Sequence, residues 1–344
     1  IAEKTSHMLS RIIQFSLNNK FIVLMITLAI VVLGIFSLSG LHIGAVPDVT
    51  NNQVQVITTS KNLSTGDMEQ FITYPIELEM ANLPGVEEIR SVSKFGLSVV
   101  TIVFDDDLGT YLPRQLISEK LQAAAERIPE GFGTPEMGPI STGLGEIYQY
   151  VLDVEPEYQD LYSTTDLRTI QDWIVKRQLS GIPGVVEVNT WGGHLKQYEV
   201  AVNTDKLAAM NVSASEVFNA LESNNSIAGG AYIEKKDMAY FIRGEGLINS
   251  LDDIRNISIK TIKGLPVYIE DVAEVGYGSA NRFGAITGNG EGEKVLGQVM
   301  MIKNGNSNQV IQDVKKRVEQ ISGNLPEGVY INAFLERSEL IGRT

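Results

Sequence analysis

Cysteine is absent from the 344 residues, which removes disulfide frameworks, thiolate metal sites, thiol nucleophiles and a lipoprotein anchor together. Histidine is scarce: His7, His42 and His194 are far apart and have no ligand spacing. Basic residues number 28 against 42 acidic ones, a net charge of −14, and they form no stripe that could follow a nucleic-acid backbone. No nucleic acid is expected as a partner. A Walker lysine after a glycine run, a His-Glu-x-x-His and a Gly-x-Ser-x-Gly are all missing. Gly143-Leu-Gly145 also lacks the third glycine of a dinucleotide loop. Neither enzymatic chemistry nor a bound cofactor is expected.

One long apolar run is present, and no second one. Phe21 to Leu38 holds eighteen residues without a charge. Extended to Leu41, it is long enough to cross a hydrocarbon core of ~30 Å at ~1.5 Å per residue. Arg11 and Lys20 precede it, and no further Lys or Arg occurs until Lys61. The positive-inside bias then places residues 1–20 in the cytoplasm, the transmembrane helix at 21–41 and the remainder outside. A cleaved signal peptide would have a core of only about 7–15 residues. Ile1 to His7 reads as an added leader ahead of a native Met8. The last residues, 337–344, read as a truncated lead-in to a further span.

The rest alternates strand-like and helix-like segments and contains an internal repeat. Leu83-Pro84-Gly85-Val86 recurs as Ile182-Pro183-Gly184-Val185, 99 residues on. Ile128-Pro129-Glu130-Gly131 recurs as Leu325-Pro326-Glu327-Gly328, 197 residues on. Each marker follows a helix-period stretch and leads into a strand. The spacing puts an insertion of about 98 residues inside the second copy.

Copy one reads as β-α-β-β-α-β, the split βαβ or ferredoxin-like unit. Val54–Thr59 alternates as a strand, and Met68, Phe71, Ile72, Ile76 and Met80 make a helical stripe that Pro75 should kink or divide. Two strands flank Gly96, a helix follows with Ile117, Leu121, Ala124 and Ile128, and the chain returns as a strand after Pro135. Copy two runs from Ile147–Val154 through a helix near Leu167–Leu179 to Val185–Trp191. After the insertion it resumes with Val295–Ile302, a helix and Val329–Phe334. The insertion carries a Ser213-x-x-Glu216 capping box, short strands near Tyr198–Val202 and Tyr240–Arg243, and a hairpin at Ile257–Ile269. The expected fold is α+β: a membrane helix, then two βαββαβ units, the second interrupted by an α+β lobe.

Candidate ligands are few. Nine methionines invite a soft-metal reading, yet Met300 and Met301 are neighbours in a strand and face opposite ways. Met68 and Met80 lie on the apolar stripe, Met25 in the membrane run, and His194 in a domain junction. Asp105-Asp106-Asp107 reads as a solvated turn. Glu146, at the head of a strand, and Asp172, on a helix beside Trp173, are the carboxylates that could face a path for divalent cations.

Several blocks then carry a family resemblance. Arg11–Lys20 (RIIQFSLNNK), the apolar run, Ala45–Thr50 with Pro47 and Asp48, and Gln53–Val56 resemble the opening of heavy-metal efflux pumps. These form a branch of the resistance–nodulation–division (RND) transporters, of the CusA/CzcA type. Thr73–Glu77 with Tyr74 and Pro75, Leu83–Val86 with Pro84 and Gly85, and Ser93–Ser98 resemble the same branch. So, most specifically, does Gly138–Tyr150 with Gly143, Gly145, Glu146 and Tyr148. The resemblance covers about Met8 to Thr344. It implies a proton-driven antiporter for heavy-metal cations in the inner membrane, with the bulk of this chain periplasmic. It also implies a homotrimer working with a periplasmic adaptor protein and an outer-membrane channel. The units become a first porter subdomain (43–141), a second (144–190 plus 285–336) and a docking lobe (191–284). The family's proton-relay carboxylates and copper-binding methionines lie in later segments, so this stretch should not transport by itself. Two other functions fit the same architecture: a membrane-anchored periplasmic binding or assembly module without transport, and an RND exporter of drugs or lipids.

Overall fold

The computed structural model describes residues 14–39, 49–61, 63–228, 230, 232–235, 238–241, 244–282 and 284–338. His7, Arg11, His42, Pro47, Asp48, residues 40–41, Arg243 and residues 339–344 lie outside that set, together with the expectations resting on them.

Helix α1 covers Lys20–Ser39. From Phe21 to Phe36 every side chain but the half-buried Val23 is exposed, Phe21 at 87%. Its one hydroxyl in that stretch, Thr27, donates to Val23 O at 2.8 Å, so the apolar cylinder carries no unpaired side-chain donor there. Among the described residues no helix is long and apolar enough to cross a membrane. The expectation of a crossing at 21–41 is thus met only as an exposed apolar helix over Lys20–Ser39, residues 40–41 lying outside the described set.

Strand β1 (Asn52–Thr59) buries alternate residues, as its sequence alternation requires. A broken helix follows: α2 (Thr65–Met68), a π turn at Glu69–Thr73, then α3 (Tyr74–Met80). Ser64 caps it by accepting from Asp67 N. The division expected at Pro75 is present, but it is a widened turn just before the proline, which sits in the first turn of α3. Strands β2 (Val86–Lys94) and β3 (Leu97–Phe104), helix α4 (Tyr111–Arg127) and the two-residue β4 (Glu136–Met137) complete the unit. The sheet order is β2-β3-β1-β4, all pairs antiparallel. Met68, Ile72, Ile76 and Met80 are fully buried against Val54, Val56, Val100, Ile102 and Phe104. Those methionines are core, where their flexible thioethers fill gaps. The aspartate run forms a short turn: Asp105 caps it by accepting from Asp107 N at 3.0 Å, and Asp106 Oδ1 accepts from Asn52 N at 3.1 Å.

The second unit repeats this plan. Strand β5 (Glu146–Val154) leads to α5 (Thr164–Ile170), a π turn at Gln171–Val175, and α6 (Lys176–Leu179). Strand β6 (Val185–Trp191) follows, and after the insertion come β15 (Ile286–Thr287), β16 (Glu293–Met301), α11 (Ser307–Ser322) and β17 (Val329–Glu336), with β7–β14 and α7–α10 falling in the insertion. Central strand β16 pairs with β5 on one edge and with β6 and β15 on the other, while β17 pairs with the far edge of β5. The β15–β16 hairpin turns at Gly288–Gly292, as its glycine-rich sequence suggests.

The insertion has its own core, of Leu207, Val217, Ile254, Ile257, Val267, Ile269 and their neighbours. It opens with β7 (Lys196–Val202), α7 (Thr204–Ala209) and α8 (Ala214–Ser223), the last capped by the Ser213–Glu216 box. Two small ribbons follow, β8 (Ser226–Ala228) with β11 (Gly244–Gly246) and β9 (Tyr232–Lys235) with β10 (Met238–Phe241). Helix α9 (Leu251–Arg255), the hairpin β12 (Ser258–Ile262) and β13 (Leu265–Tyr268), α10 (Ile269–Val272) and β14 (Ala273–Ser279) close it. Strand β14 returns antiparallel along β7, so the lobe is reached through a two-stranded ribbon.

Glycine matters most at Gly297 in β16. A Cβ there would fall on the ring of Tyr150, which lies across this position from the neighbouring strand and is fully buried. We expect Gly297→Ala to lower stability by about 1–3 kcal/mol through overpacking. In denaturant titrations, pairing it with Tyr150→Leu should cost less than the sum of the single changes. Simple additivity would show that the ring does not need this gap.

Candidate functional site

The Gly138–Tyr150 block links the two sheets. Gly138 N donates to Gln55 O at 2.8 Å on the first sheet, and Arg114 Nη1 donates to Gly138 O at 2.9 Å. On the other side Lys303 N donates to Ile140 O at 3.1 Å, and Ser141 Oγ to Met301 O at 3.1 Å. Of the two later glycines in the block, Gly145 is packed against Ser141 and Met301, whereas Gly143 faces open space. Glu146 then starts β5, half-buried, and its Oε2 accepts from Gln149 Nε2 at 3.2 Å. Tyr148 follows, buried, its ring 5.9 Å from that of Tyr150.

Asp172 lies in the π turn between α5 and α6. Its Oδ2 accepts from Arg168 Nε at 2.7 Å and its Oδ1 from Thr190 Oγ1 at 2.7 Å. The chain of contacts continues inward: Gln171 Nε2 reaches Thr190 Oγ1 at 3.5 Å, and Tyr150 OH donates to Gln171 Oε1 at 3.0 Å. Gln171 is fully buried, and these bonds satisfy its amide. Arg168 Nη1 extends the network outward to Gly192 O at 2.8 Å. Asp172 is thus held by two partners, and Glu146 by a separate one. Sequence reading found Asp172 but missed Arg168, Gln171 and Thr190. The i,i+4 spacing of Arg168 and Asp172 was the available signal for the first of these.

Among the other expected positions, Tyr74 is exposed and Pro75 half-buried at the start of α3, while Pro84 and Gly85 form the exposed turn into β2. His194 is half-buried beside Glu293. Among the described residues no group of three or more His, Asp or Glu side chains is placed to hold a metal ion.

Burial raises the Tyr148 phenol to about 12, and the nearby Glu336 charge adds to the effect. Burial pushes Tyr150 up further, only partly offset by its bond to Gln171. The charge of Glu293 is stabilised by Arg282, so its carboxyl is held below the usual range.

A duplicated α+β assembly without a catalytic cluster among its described residues is the class these features define. A sequence model of the AcrB/AcrD/AcrF family matches residues 12–344, and the chain belongs to that family. It is 44% identical over 340 residues to the cation efflux system protein CzcA of Alcaligenes sp. strain CT14, covering 98% of this chain and 32% of the relative. It is equally similar, with the same coverage, to the cobalt-zinc-cadmium resistance protein CzcA of Cupriavidus metallidurans. A solved heavy-metal efflux pump superposes with a TM-score of 0.87 at 30% identity, over 96% of this chain and 32% of that one. The chain spans about a third of the length of the curated relatives it matches. These relatives are efflux transporters rather than enzymes, and they do not favour the non-transporting module or the drug or lipid exporter.

The raised phenols give a pH prediction. A group whose folded pKa lies above its unfolded value of about 10 contributes stability below that value and loses it as pH rises through the folded pKa. In an alkaline titration followed by tyrosinate absorbance, Tyr148 and Tyr150 should ionise last of the twelve tyrosines. Unfolding in denaturant should return both to the ordinary range. Early ionisation of all twelve would contradict the burial described.

Proposed function

We propose that this chain forms part of a proton-driven efflux pump for heavy-metal cations: its first membrane helix and its first periplasmic portion. The observation that carries this reading is the 44% identity to a cation efflux protein across 98% of the chain. The two like-ordered sheets serve as ferredoxin-like porter subdomains, residues 43–141 and 144–190 plus 285–336. Residues 191–284 serve as the docking lobe. The apolar, all-round exposed surface of α1 supports membrane insertion across residues 21–41, since lipid is the solvent such a surface suits. By the positive-inside rule the remainder is periplasmic, in a homotrimer that meets an adaptor protein and an outer-membrane channel.

Transport in this reading is rocking of packed subdomains about a cleft, driven by protons moving through spans outside this chain. Glu146 and Asp172 face the path, where carboxylate oxygens suit harder divalent ions; Asp172 reaches a cation only by yielding Arg168 or Thr190. Which metal is carried depends on ligands elsewhere in the pump.

The reading is tested in a metal-sensitive host expressing the intact pump. Tolerance to zinc, cobalt or cadmium should rise relative to an empty vector, and failure to raise tolerance to any heavy metal would reject it. Alanine at both Glu146 and Asp172 should weaken cation handling by roughly tenfold or more. Unchanged tolerance in that variant would remove both residues from the path while leaving the pump assignment intact.

A further inference from the structure

Two chain segments join the inserted lobe to the second unit: the outgoing stretch after Trp191 and the returning stretch before Ile286. The outgoing stretch bends at Gly192 and Gly193, with φ of 76° and 67° in succession, a backbone that side chains disfavour. The bend is also crowded, since a Cβ on Gly192 would strike Lys294 O and one on Gly193 would meet Thr164 O, Val295 and the stem of Arg168. Two charged side chains grip it. Arg168 donates from Nη1 to Gly192 O at 2.8 Å, and Glu293 accepts from Gly193 N at 2.9 Å through Oε1. That same Glu293 oxygen is paired with Arg282 on the returning stretch. Ala280 N donates to Leu195 O at 3.0 Å, pinning the two stretches to each other.

Arg168 has no freedom to leave this role while Asp172 holds its Nε at 2.7 Å. Both side chains are about four-fifths buried, at 20% and 19% exposure, so the pair is shielded from the screening that makes surface pairs weak. Asp172 is in turn fixed by Thr190 on β6 and sits in the π turn next to Gln171, whose amide is tied to Tyr150.

We infer that Arg168, positioned by Asp172, is the strut that sets the direction of the inserted lobe and couples it to the wide turn between α5 and α6. Any shift of that turn moves the carboxylate, the carboxylate moves the guanidinium, and the guanidinium carries the Gly192 carbonyl at the root of the ribbon. On the opposite side the Glu293–Arg282 pair keeps the returning stretch in step. The lobe is therefore aimed by the second unit rather than swinging freely on its two connections. The inference concerns this chain's own geometry and holds whatever cargo the pump carries.

Because the chain has no cysteine, Lys206→Cys on the lobe and Glu319→Cys on α11 give a unique spin-label pair. Both positions are exposed and lie away from the bend. In the full chain in detergent, the unmodified background should give one narrow distance distribution by pulsed electron resonance. Arg168→Ala and Asp172→Asn should each broaden or shift it. Amide exchange at residues 193–196 should accelerate by roughly tenfold or more, as loss of a charge-assisted bond implies, while exchange within the second core stays as it was. Arg168→Lys, able to reach Asp172 or Gly192 O but not both, should fall between. Arg177→Ala, which removes a guanidinium stacked on Trp173 and not one at the bend, should leave the distribution unaltered. An unaltered distribution in both Arg168→Ala and Asp172→Asn would overturn the inference. Exchange that rises throughout the second core would do the same, because it would mark a general loss of stability in place of a strut.

Discussion

Strand β16 is the member on which the second half of the molecule depends. It hydrogen-bonds along both edges, to β5 on one side and to β6 on the other, yet about a hundred residues separate it from β6 in the sequence. A central strand with both edges paired cannot be replaced by a neighbour, so the second core closes only when the chain has returned from the lobe. The loop-closure entropy of such a detour grows slowly with length. Several contacts are concentrated at the point of return: Gly297 under the Tyr150 ring, Trp191 Nε1 donating to Gln298 Oε1 at 3.1 Å, and Glu293 at the bend. The close fit at this strand thus joins core packing to the placement of the lobe.

The two units share a plan but fill one row differently. In the first, Val56, Val100 and Ser91 stand side by side on adjacent strands; in the second the same row holds Tyr150, Gly297 and Thr190. In the first row Val56 and Val100 contribute burial alone, and Ser91 is exposed. The aromatic row brings a phenol inward, and a buried phenol requires a partner. Gln171 supplies it from the π turn, which draws Thr190, Asp172 and Arg168 into one network. Such a network is costly if any member is lost. The second unit, which carries the lobe, therefore has the more extended polar link between sheet and broken helix; in the first, among the described residues, Thr73 alone makes it, its hydroxyl sharing hydrogen bonds of 2.8 Å with Ser93 and with Ser98.

Much of the architecture was legible because its signals are local. The Pro-Gly-Val and Pro-Glu-Gly markers punctuate turns, so their spacing located the interruption, and strand ends at Val185 and Trp191 followed from residue pattern alone. The capping box at Ser213 was readable for the same reason. What was not legible is long-range. The final strand of the first unit shrinks to Glu136 and Met137 because the chain leaves at Gly138 to reach the second sheet. The pairing of β7 with β14 joins segments some seventy residues apart. Asp172 could be picked out by residue type, but its engagement by Thr190 depends on a strand that only folding brings near. Glu293, two residues ahead of the strand expected at Val295–Ile302, gave no hint of its place at the bend.

The widened turn is not tied to one residue type. It occurs in both broken helices, at Glu69–Thr73 and at Gln171–Val175, and each closes with the same bond, from Tyr74 N to Glu69 O and from Lys176 N to Gln171 O. Only the first is followed by a proline, so proline cannot be the origin of the wide turn in both copies. The two also sit in different registers: by the 99-residue offset of the Pro-Gly markers, Glu69–Thr73 matches residues 168–172, three residues ahead of Gln171–Val175. A displacement of less than one helical turn thus places the irregularity ahead of a proline in one copy and around the buried Gln171 in the other.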